Sequence, residues 1–332
     1  MTVNHRGYVR YLRYLIQWAI FFLVIYGGYR FYLFVRALEE GILPSFKRPS
    51  LVDGFMPIGG LMGLKLWIAE GILDPVHPAA VVILAGALLI SFFMRKAFCG
   101  WICPVGTLSE LVFKTGKRIW GRNFTLPLYV DYPLRTIKYI LMAFFLYVIL
   151  IKMTPESIKV FLQTPYWKVA DIKLLKFFTE MPVNTATVLG GLFVLSLFYK
   201  NFWCRYLCPY GALLGLLALA GPSKIKRYED KCINCKLCSR NCPSNLPVDR
   251  KTYVHSPECT GCLTCVSYCP SKDCLEITFA GKVIAPALFI AIALCIFYGL
   301  IIYAMATGNW SSRTPHHELL ELIPFLERLM HP

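Results

Sequence analysis

Phe98-Cys99-Gly100-Trp101-Ile102-Cys103-Pro104-Val105-Gly106 returns 105 residues later as Trp203-Cys204-Arg205-Tyr206-Leu207-Cys208-Pro209-Tyr210-Gly211. Each copy directly follows an apolar stretch, Pro78 to Met94 or Met181 to Tyr199, so the pair reads as a duplicated two-span unit. Cysteines four apart share a helix face. A proline after the second cysteine disfavours continuing that helix and suits the first position of a new one. Cys103 and Cys208 are therefore expected at helix starts, where free N–H groups and the positive dipole end stabilise thiolates or an anionic cluster. Lys96 and Arg205 supply nearby counter-charge. Buried cysteines can also be plain small hydrophobes, but two matched C-x3-C-P copies argue for a site. Cys99, Cys103, Cys204 and Cys208 are expected to converge on one cofactor position, an iron–sulfur cluster bridging the two halves or else a redox-active thiol pair or transient metal site.

Outward from the repeat, the chain is membrane-like. Its 332 residues are 57% hydrophobic and 16% charged, against about 25% charged in a soluble domain. Five apolar runs approach the roughly 20 residues that a span needs: Tyr14 to Val35 across Arg30, Pro78 to Met94, Leu134 to Ile151, Met181 to Tyr199 and Ile284 to Ala306. The third needs Arg135 and Lys138 to snorkel. The first, flanked by Arg6, Arg10 and Arg13, is too long for a signal peptide and lacks a cleavage site, so it reads as an anchor. The net charge of +16 is assigned to cytoplasmic loops and anionic lipid, with no nucleic-acid partner.

Basic residues set the orientation. Segment 95–133 carries six Lys or Arg against Glu110 and Asp131, and segment 201–283 eleven against six acids, so both are expected inside. Loop 152–182, with five Lys, argues mildly the other way. The expected protein lies in a bacterial or archaeal cytoplasmic membrane with an inner amino terminus and an outer carboxyl terminus. Both cysteine pairs then follow out-to-in spans, which makes the repeat parallel. On the outer side, Phe55 to Leu64 and Phe161 to Met181 suit the headgroup level.

Between the fourth and fifth spans stands Cys232-x2-Cys235-x2-Cys238-x3-Cys242-Pro243, followed by Cys259-x2-Cys262-x2-Cys265-x3-Cys269-Pro270. This is the bacterial two-cluster ferredoxin run, in which the fourth cysteine of each run ligates the other cluster. One [4Fe-4S] cluster is expected on Cys232, Cys235, Cys238 and Cys269, the other on Cys259, Cys262, Cys265 and Cys242. Zinc sites show isolated C-x2-C pairs instead. Cys274 and Cys295 fall outside both patterns and read as packing residues.

The fold expected is an all-α membrane protein with five transmembrane helices, arranged as a parallel two-span repeat, plus a small α+β bacterial-type two-cluster ferredoxin insert. Its parts are 1–133 with the first C-x3-C-P, 134–223 with the second, a cytoplasmic ferredoxin domain at 224–283, a fifth helix at 284–306 and an outer amphipathic tail at 307–332.

In motif order over residues 78 to 280, the chain resembles the membrane polyferredoxins of the NapH, NosR and CcoG type. The resemblance implies an electron carrier between membrane quinol and a partner oxidoreductase or, in the CcoG branch, a reductase serving copper-enzyme assembly. Against that resemblance, the protein is expected to lack the flavin-attachment domain of NosR before the first span and the immunoglobulin-like domain of CcoG.

Asp74-Pro75-Val76-His77-Pro78, at the outer entrance to the second span, puts an acid and an imidazole where a quinone head could exchange protons. A capped helix start with an interfacial histidine is the plainer account. Lys65, Glu70, Asp171 and Lys173 are weaker candidates. His316 and His317 precede a stripe of Leu319, Leu320, Ile323, Leu326 and Leu329 that reads as an amphipathic helix on the membrane or a partner. No nucleotide-binding glycine motif occurs. The function expected is a membrane-bound iron–sulfur electron-transfer subunit, of quinol-dehydrogenase type, between the quinone pool and other redox subunits. The rivals are a thiol or iron–sulfur metal reductase in copper-enzyme assembly, since thiolates suit Cu(I), and a redox-sensing anchor without turnover.

Overall fold

The computed structural model describes residues 7–329. Of the three N-terminal arginines, Arg6 lies outside them. The described chain forms two compact units. One comprises the residues up to Phe21, Ala87–Met142 and Leu189–Phe297; the other comprises Phe22–Gly86, Ala143–Val188 and the residues from Tyr298. The breaks fall inside five helices: α1 (Tyr8–Glu39), α3 (Pro78–Phe93), α5 (Leu128–Leu146), α9 (Val183–Phe198) and α13 (Pro286–Ala306).

These five correspond to the expected spans, but their lengths differ. By length and apolarity, Tyr8–Glu39, Leu128–Lys152 and Pro286–Ala306 can cross a membrane. Among the described residues, a fourth span arises only if α8 (Ala170–Thr179) and α9, bent by 77° at their junction, count as one. Pro182 lies in that junction and cannot continue a helix from α8. The second expected span, α3, has 16 residues, about 24 Å at 1.5 Å per residue, short of a core of about 30 Å. It starts at Pro78 and ends before Arg95, which adopts a left-handed φ of 57°.

In the first unit the duplicated motif folds twice in the same way. A π-turn at Phe98–Ile102 leads through Cys103 into α4 (Pro104–Trp120), and a second at Trp203–Leu207 leads through Cys208 into α10 (Pro209–Ala220). Both cysteines cap their helices, with proline at the first position. Helices α4 and α9 touch at Gly116, where a Cβ would lie 1.9 Å from the Leu197 carbonyl oxygen. After α10 comes a four-stranded antiparallel sheet in the order β2-β1-β3-β4, formed by β1 (Ser223–Arg227), β2 (Tyr253–Val254), β3 (Leu275–Phe279) and β4 (Lys282–Ile284). Two short helices, α11 (Leu237–Arg240) and α12 (Thr264–Tyr268), carry the third cysteine of each run.

Arg135 and Lys138 do not snorkel. Lys138 is fully buried and donates to both Glu258 carboxylate oxygens at 2.6 and 2.7 Å, while Arg135 pairs with Asp131. An ammonium in an apolar helix is tolerated where a carboxylate meets it.

Two apolar clusters lie among the described residues of the second unit. Helix α2 (Pro57–Glu70) is the expected interfacial segment, but its glycine face is packed: a Cβ at Gly60 would lie 2.7 Å from the Ala80 carbonyl oxygen. Met62 and Leu66 of α2 join Ile158, Phe161, Leu162 and Trp167 in one cluster. The tail stripe is covered by its own chain. Leu319 and Leu326 are buried against Phe31, Phe34, Val35, Leu38, Val169 and Ile172, and His316 packs edge-on to Phe34. Periodicity tells that a face needs covering, and here α1 and α8 cover it.

Candidate functional site: thiol sets and a buried histidine–carboxylate pair

The four repeat cysteines gather in the first unit. Each of Cys99 and Cys204 lies within electrostatic reach of the other pair's thiols, and Cys208 Sγ and Lys96 Nζ both approach the Cβ position of Gly211, at 3.5 and 3.8 Å. The Gly211 N–H donates to Cys208 Sγ at 3.2 Å. Burial pushes the Cys103 thiol up to about 11 and raises Cys99 and Cys204 as well. Burial alone would lower the Lys96 ammonium, but Glu258 and the thiols hold it above its usual value. These thiols become thiolates only where positive charge meets them, which iron supplies.

The ferredoxin segment brings together the sets grouped from the sequence. One cavity of ≈ 330 Å³, part of it open to solvent, is lined by Cys232, Cys235, Cys238 and Cys269, and another of ≈ 360 Å³ by Cys242, Cys259, Cys262 and Cys265. Left-handed residues recur in register at Asn234 and Lys236 and at Gly261 and Leu263. Alternation of this kind turns successive N–H groups inward as an anion-binding nest, the backbone form that holds many iron–sulfur centres. Among the described residues, no three thiols stand within 4.8 Å of one another, as ligands of a single ion would. Arg95, fully buried beside Gly261, has Nε and Nη1 without a protein partner. Four thiols facing one another, an N–H nest and a buried guanidinium with two open N–H groups fit an anionic cluster. The sequence did not reveal Cys274, which lines the first cavity as a fifth thiol. Cys295 is exposed on α13.

On the second unit, His77 is fully buried. Its partner is Asp53, 3.0 Å from Nδ1, and not Asp74. Asp74 accepts from the Val76 N–H at 2.8 Å and from the Trp167 indole at 2.9 Å, and so positions the loop. His77 Nε2 stands 3.0 Å from the Trp167 carbonyl oxygen. A carbonyl only accepts, so Nε2 carries a hydrogen and one further proton is shared between Nδ1 and Asp53. Burial pulls the imidazolium down, but Asp53 outweighs it and His77 is raised; burial raises Asp53. The pair thus keeps its proton to higher pH than isolated groups would. Ligand atoms of Asp53, His77 and Asp171 lie within 4.8 Å of one another, and Arg48 binds Asp171. Of the weaker candidates, Lys65 caps the Ile149 and Leu150 carbonyls, Glu70 faces Lys159 at 3.8 Å, and Lys173 binds the Leu329 carbonyl. Asp53, Arg48 and Trp167 escaped the sequence reading; its only signal was charge between apolar runs.

Known proteins match the chain over the same segments. A family model described as a 4Fe-4S binding domain matches residues 76–123 and again 182–228, and a 4Fe-4S dicluster domain matches 224–270. YccM of Escherichia coli (strain K12), named for electron transport, is 42% identical over 308 residues, covering 90% of this chain and 86% of its own. The regulatory protein NosR of Pseudomonas aeruginosa is 30% identical over 52% of this chain and 23% of its own length. The ferredoxin-type protein NapH of Escherichia coli (strain K12) is 28% identical over 61% and 70%. No solved structure matches. With its duplicated cysteine turns, its two cysteine-lined cavities and a relative along nine-tenths of its length, the chain belongs to the membrane polyferredoxin family of the NapH and NosR type.

Proposed function

We propose that this protein is a membrane-bound electron-transfer subunit that takes electrons from quinol and delivers them to a partner oxidoreductase through its cysteine sets. The observation that carries the reading is the gathering, in one compact unit, of four repeat thiols, three of them within electrostatic reach of buried Lys96, and of two further quartets. Cys232, Cys235, Cys238 and Cys269 would hold one [4Fe-4S] cluster, and Cys242, Cys259, Cys262 and Cys265 another. Cys99, Cys103, Cys204 and Cys208 would hold a third centre. When bound, these groups accept and donate electrons singly at potentials set by hydrogen bonding, charge and exposure. The inner-membrane location, with clusters inside and the carboxyl terminus outside, rests on the Lys and Arg bias.

Quinol oxidation also releases protons. His77 and Asp53 are the acceptors we assign, with Asp74 holding the loop that carries His77. Both groups are buried and already share one proton, so the pair acts as a relay, accepting a quinol proton as it passes its own on. Rapid mixing of the anaerobic protein with a quinol analogue, followed by cluster absorbance, tests the reading. His77→Ala is expected to slow reduction by about 10² to 10⁴, the range for a lost general base, with dithionite reduction unchanged. A native protein and partner complex that quinol does not reduce overturns it.

A further inference from the structure

The two ferredoxin quartets are not equivalent with respect to the repeat cysteines. Loop 256–264 bears Cys259 and Cys262, and it is clamped onto the first π-turn. Arg95 Nη2 donates to the Ser256 carbonyl at 2.8 Å, Lys96 Nζ to Pro257 at 3.4 Å and Trp101 Nε1 to Gly261 at 3.0 Å. Gly100, next to Cys99, meets this loop so closely that a Cβ there would lie 2.6 Å from the Thr260 carbonyl oxygen and 3.3 Å from Cys262 Cβ. The second repeat grips Cys242 from equivalent positions. Lys200, matching Arg95, donates to the Arg240 carbonyl at 3.0 Å and to that of Cys242 at 3.4 Å. Asn201, matching Lys96, donates to Pro243 at 3.2 Å, and Arg205 donates to Ser244 at 2.5 Å. Cys242, Cys259 and Cys262 belong to one and the same cavity.

The other quartet is bound less directly, Lys200 reaching the Arg240 carbonyl at the end of α11, two residues past Cys238. Bonds around Cys232 and Cys235 stay within the ferredoxin segment, from Ser271 Oγ to the Lys231 carbonyl and from the Tyr228 N–H to Cys274. Ile233, which lines that cavity, is 66% exposed.

We infer that electrons enter the ferredoxin segment at the Cys242/Cys259/Cys262/Cys265 set, across the Cys99-Gly100 contact, and leave through the Cys232/Cys235/Cys238/Cys269 set. The inference deepens the electron-transfer reading and rests on it. One quinol oxidised to quinone releases two protons and two electrons, one electron for each set. Gly100 acts as a positioning residue: lacking a side chain, it lets the backbone beside Cys99 reach the loop of Cys262. At the matching position, Arg205 instead bonds Asp131 and Ser244.

The test uses the full-length anaerobic protein in nanodiscs, and Cys235→Ser and Cys262→Ser variants that each leave one intact set. With a quinol analogue, Cys235→Ser is expected to be reduced at its remaining set, whereas Cys262→Ser loses quinol-driven reduction and still responds to dithionite. Gly100→Val keeps every thiol and is expected to slow quinol-driven reduction of both sets at unchanged iron content. A structural readout accompanies these. In dithionite-reduced native protein, a water-soluble dysprosium chelate should speed the electron-spin relaxation of the Cys232 set and leave the other unaffected. Native-rate quinol reduction of Cys262→Ser, or equal dysprosium relaxation of both sets, overturns the order. If quinol reduces nothing even in the native protein, the electron-source reading fails while the dysprosium measurement still decides which set faces outward.

Discussion

Replacing Arg13 with glutamine should lower the reduction potential of one ferredoxin centre and not the other. Arg13 is buried, donates from Nε to the Gly100 carbonyl at 3.0 Å, from Nη1 to Thr264 Oγ1 at 3.0 Å, and pairs with Glu110. Thr264 Oγ1 in turn donates to Cys262 Sγ at 3.2 Å. Legs of 3.0 and 3.2 Å put the guanidinium within about 6 Å of that sulfur. An added electron is spread over the whole centre, so about 8 Å is the fairer separation, and at an effective dielectric near 20 one unit charge is then worth ~2 kcal/mol. For one electron that is about 90 mV, since 59 mV corresponds to 1.36 kcal/mol. Loss of a positive charge disfavours reduction, so the shift is negative. Glu110 can blunt it: Arg13 and Lys114 hold its carboxyl low against the pull of burial, and without Arg13 it rises and a captured proton cancels the charge change. Redox titration followed by electron paramagnetic resonance should therefore give the full shift at alkaline pH, a smaller one at acid pH, and little in Arg13→Gln/Glu110→Gln, which removes a neutral pair. Equal shifts of both centres, or none, would refute the reasoning.

Iron and labile sulfide assays should find about eight irons in the ferredoxin segment, with any excess removed by Cys99→Ala or Cys204→Ala. Asp53→Asn should invert the pH dependence of thermal stability: in the native pair both pKa values are raised, so stability falls as pH rises past the usual histidine value, whereas in the variant burial depresses His77, so stability rises as pH climbs toward the usual histidine value and is level above it. A parallel pair of curves would refute this. Gly116→Ala should lower stability by about 1 to 3 kcal/mol through overpacking against Leu197, read from thermal unfolding. A reporter active only outside the cytoplasm should work when fused after Pro332; activity of a cytoplasmic one instead would mean an even number of spans.

What could be read from the sequence was what lies close together in it. Cys103 and Cys208 stand at helix starts because Pro104 and Pro209 follow them, a purely local cause. The cysteine sets follow from spacings of three and four. Pairing across the fold was invisible. Lys138 reads as a charge needing water because Glu258, its partner, is 120 residues away, and His77 reads as Asp74's neighbour because Asp53 sits 24 residues earlier. The helix count suffered likewise. Apolar composition over Pro78 to Met94 says that water is excluded, but it does not distinguish lipid from protein as what excludes it.

Buried charge nearly cancels over the described residues but is divided unequally between the two units. Among the described residues of the first unit, Arg13, Arg95, Lys96, Lys138, Arg205 and Arg227 are buried against only Glu110, Asp131 and Glu258. In the second unit the balance reverses, with Asp53, Asp74 and Asp171 buried against Arg48 and the titratable His77. Uncompensated charge of either sign is costly in a low-dielectric interior, so each imbalance implies what the unit must hold. Surplus buried cations suit thiolate-bound centres that become more negative with each electron received. Surplus carboxylates with an imidazole suit protons. Separating the two demands between units answers a difficulty of the proposed quinol chemistry, in which one molecule gives up both: a cation placed to favour an electron disfavours a proton beside it, and a carboxylate placed to favour a proton disfavours an electron.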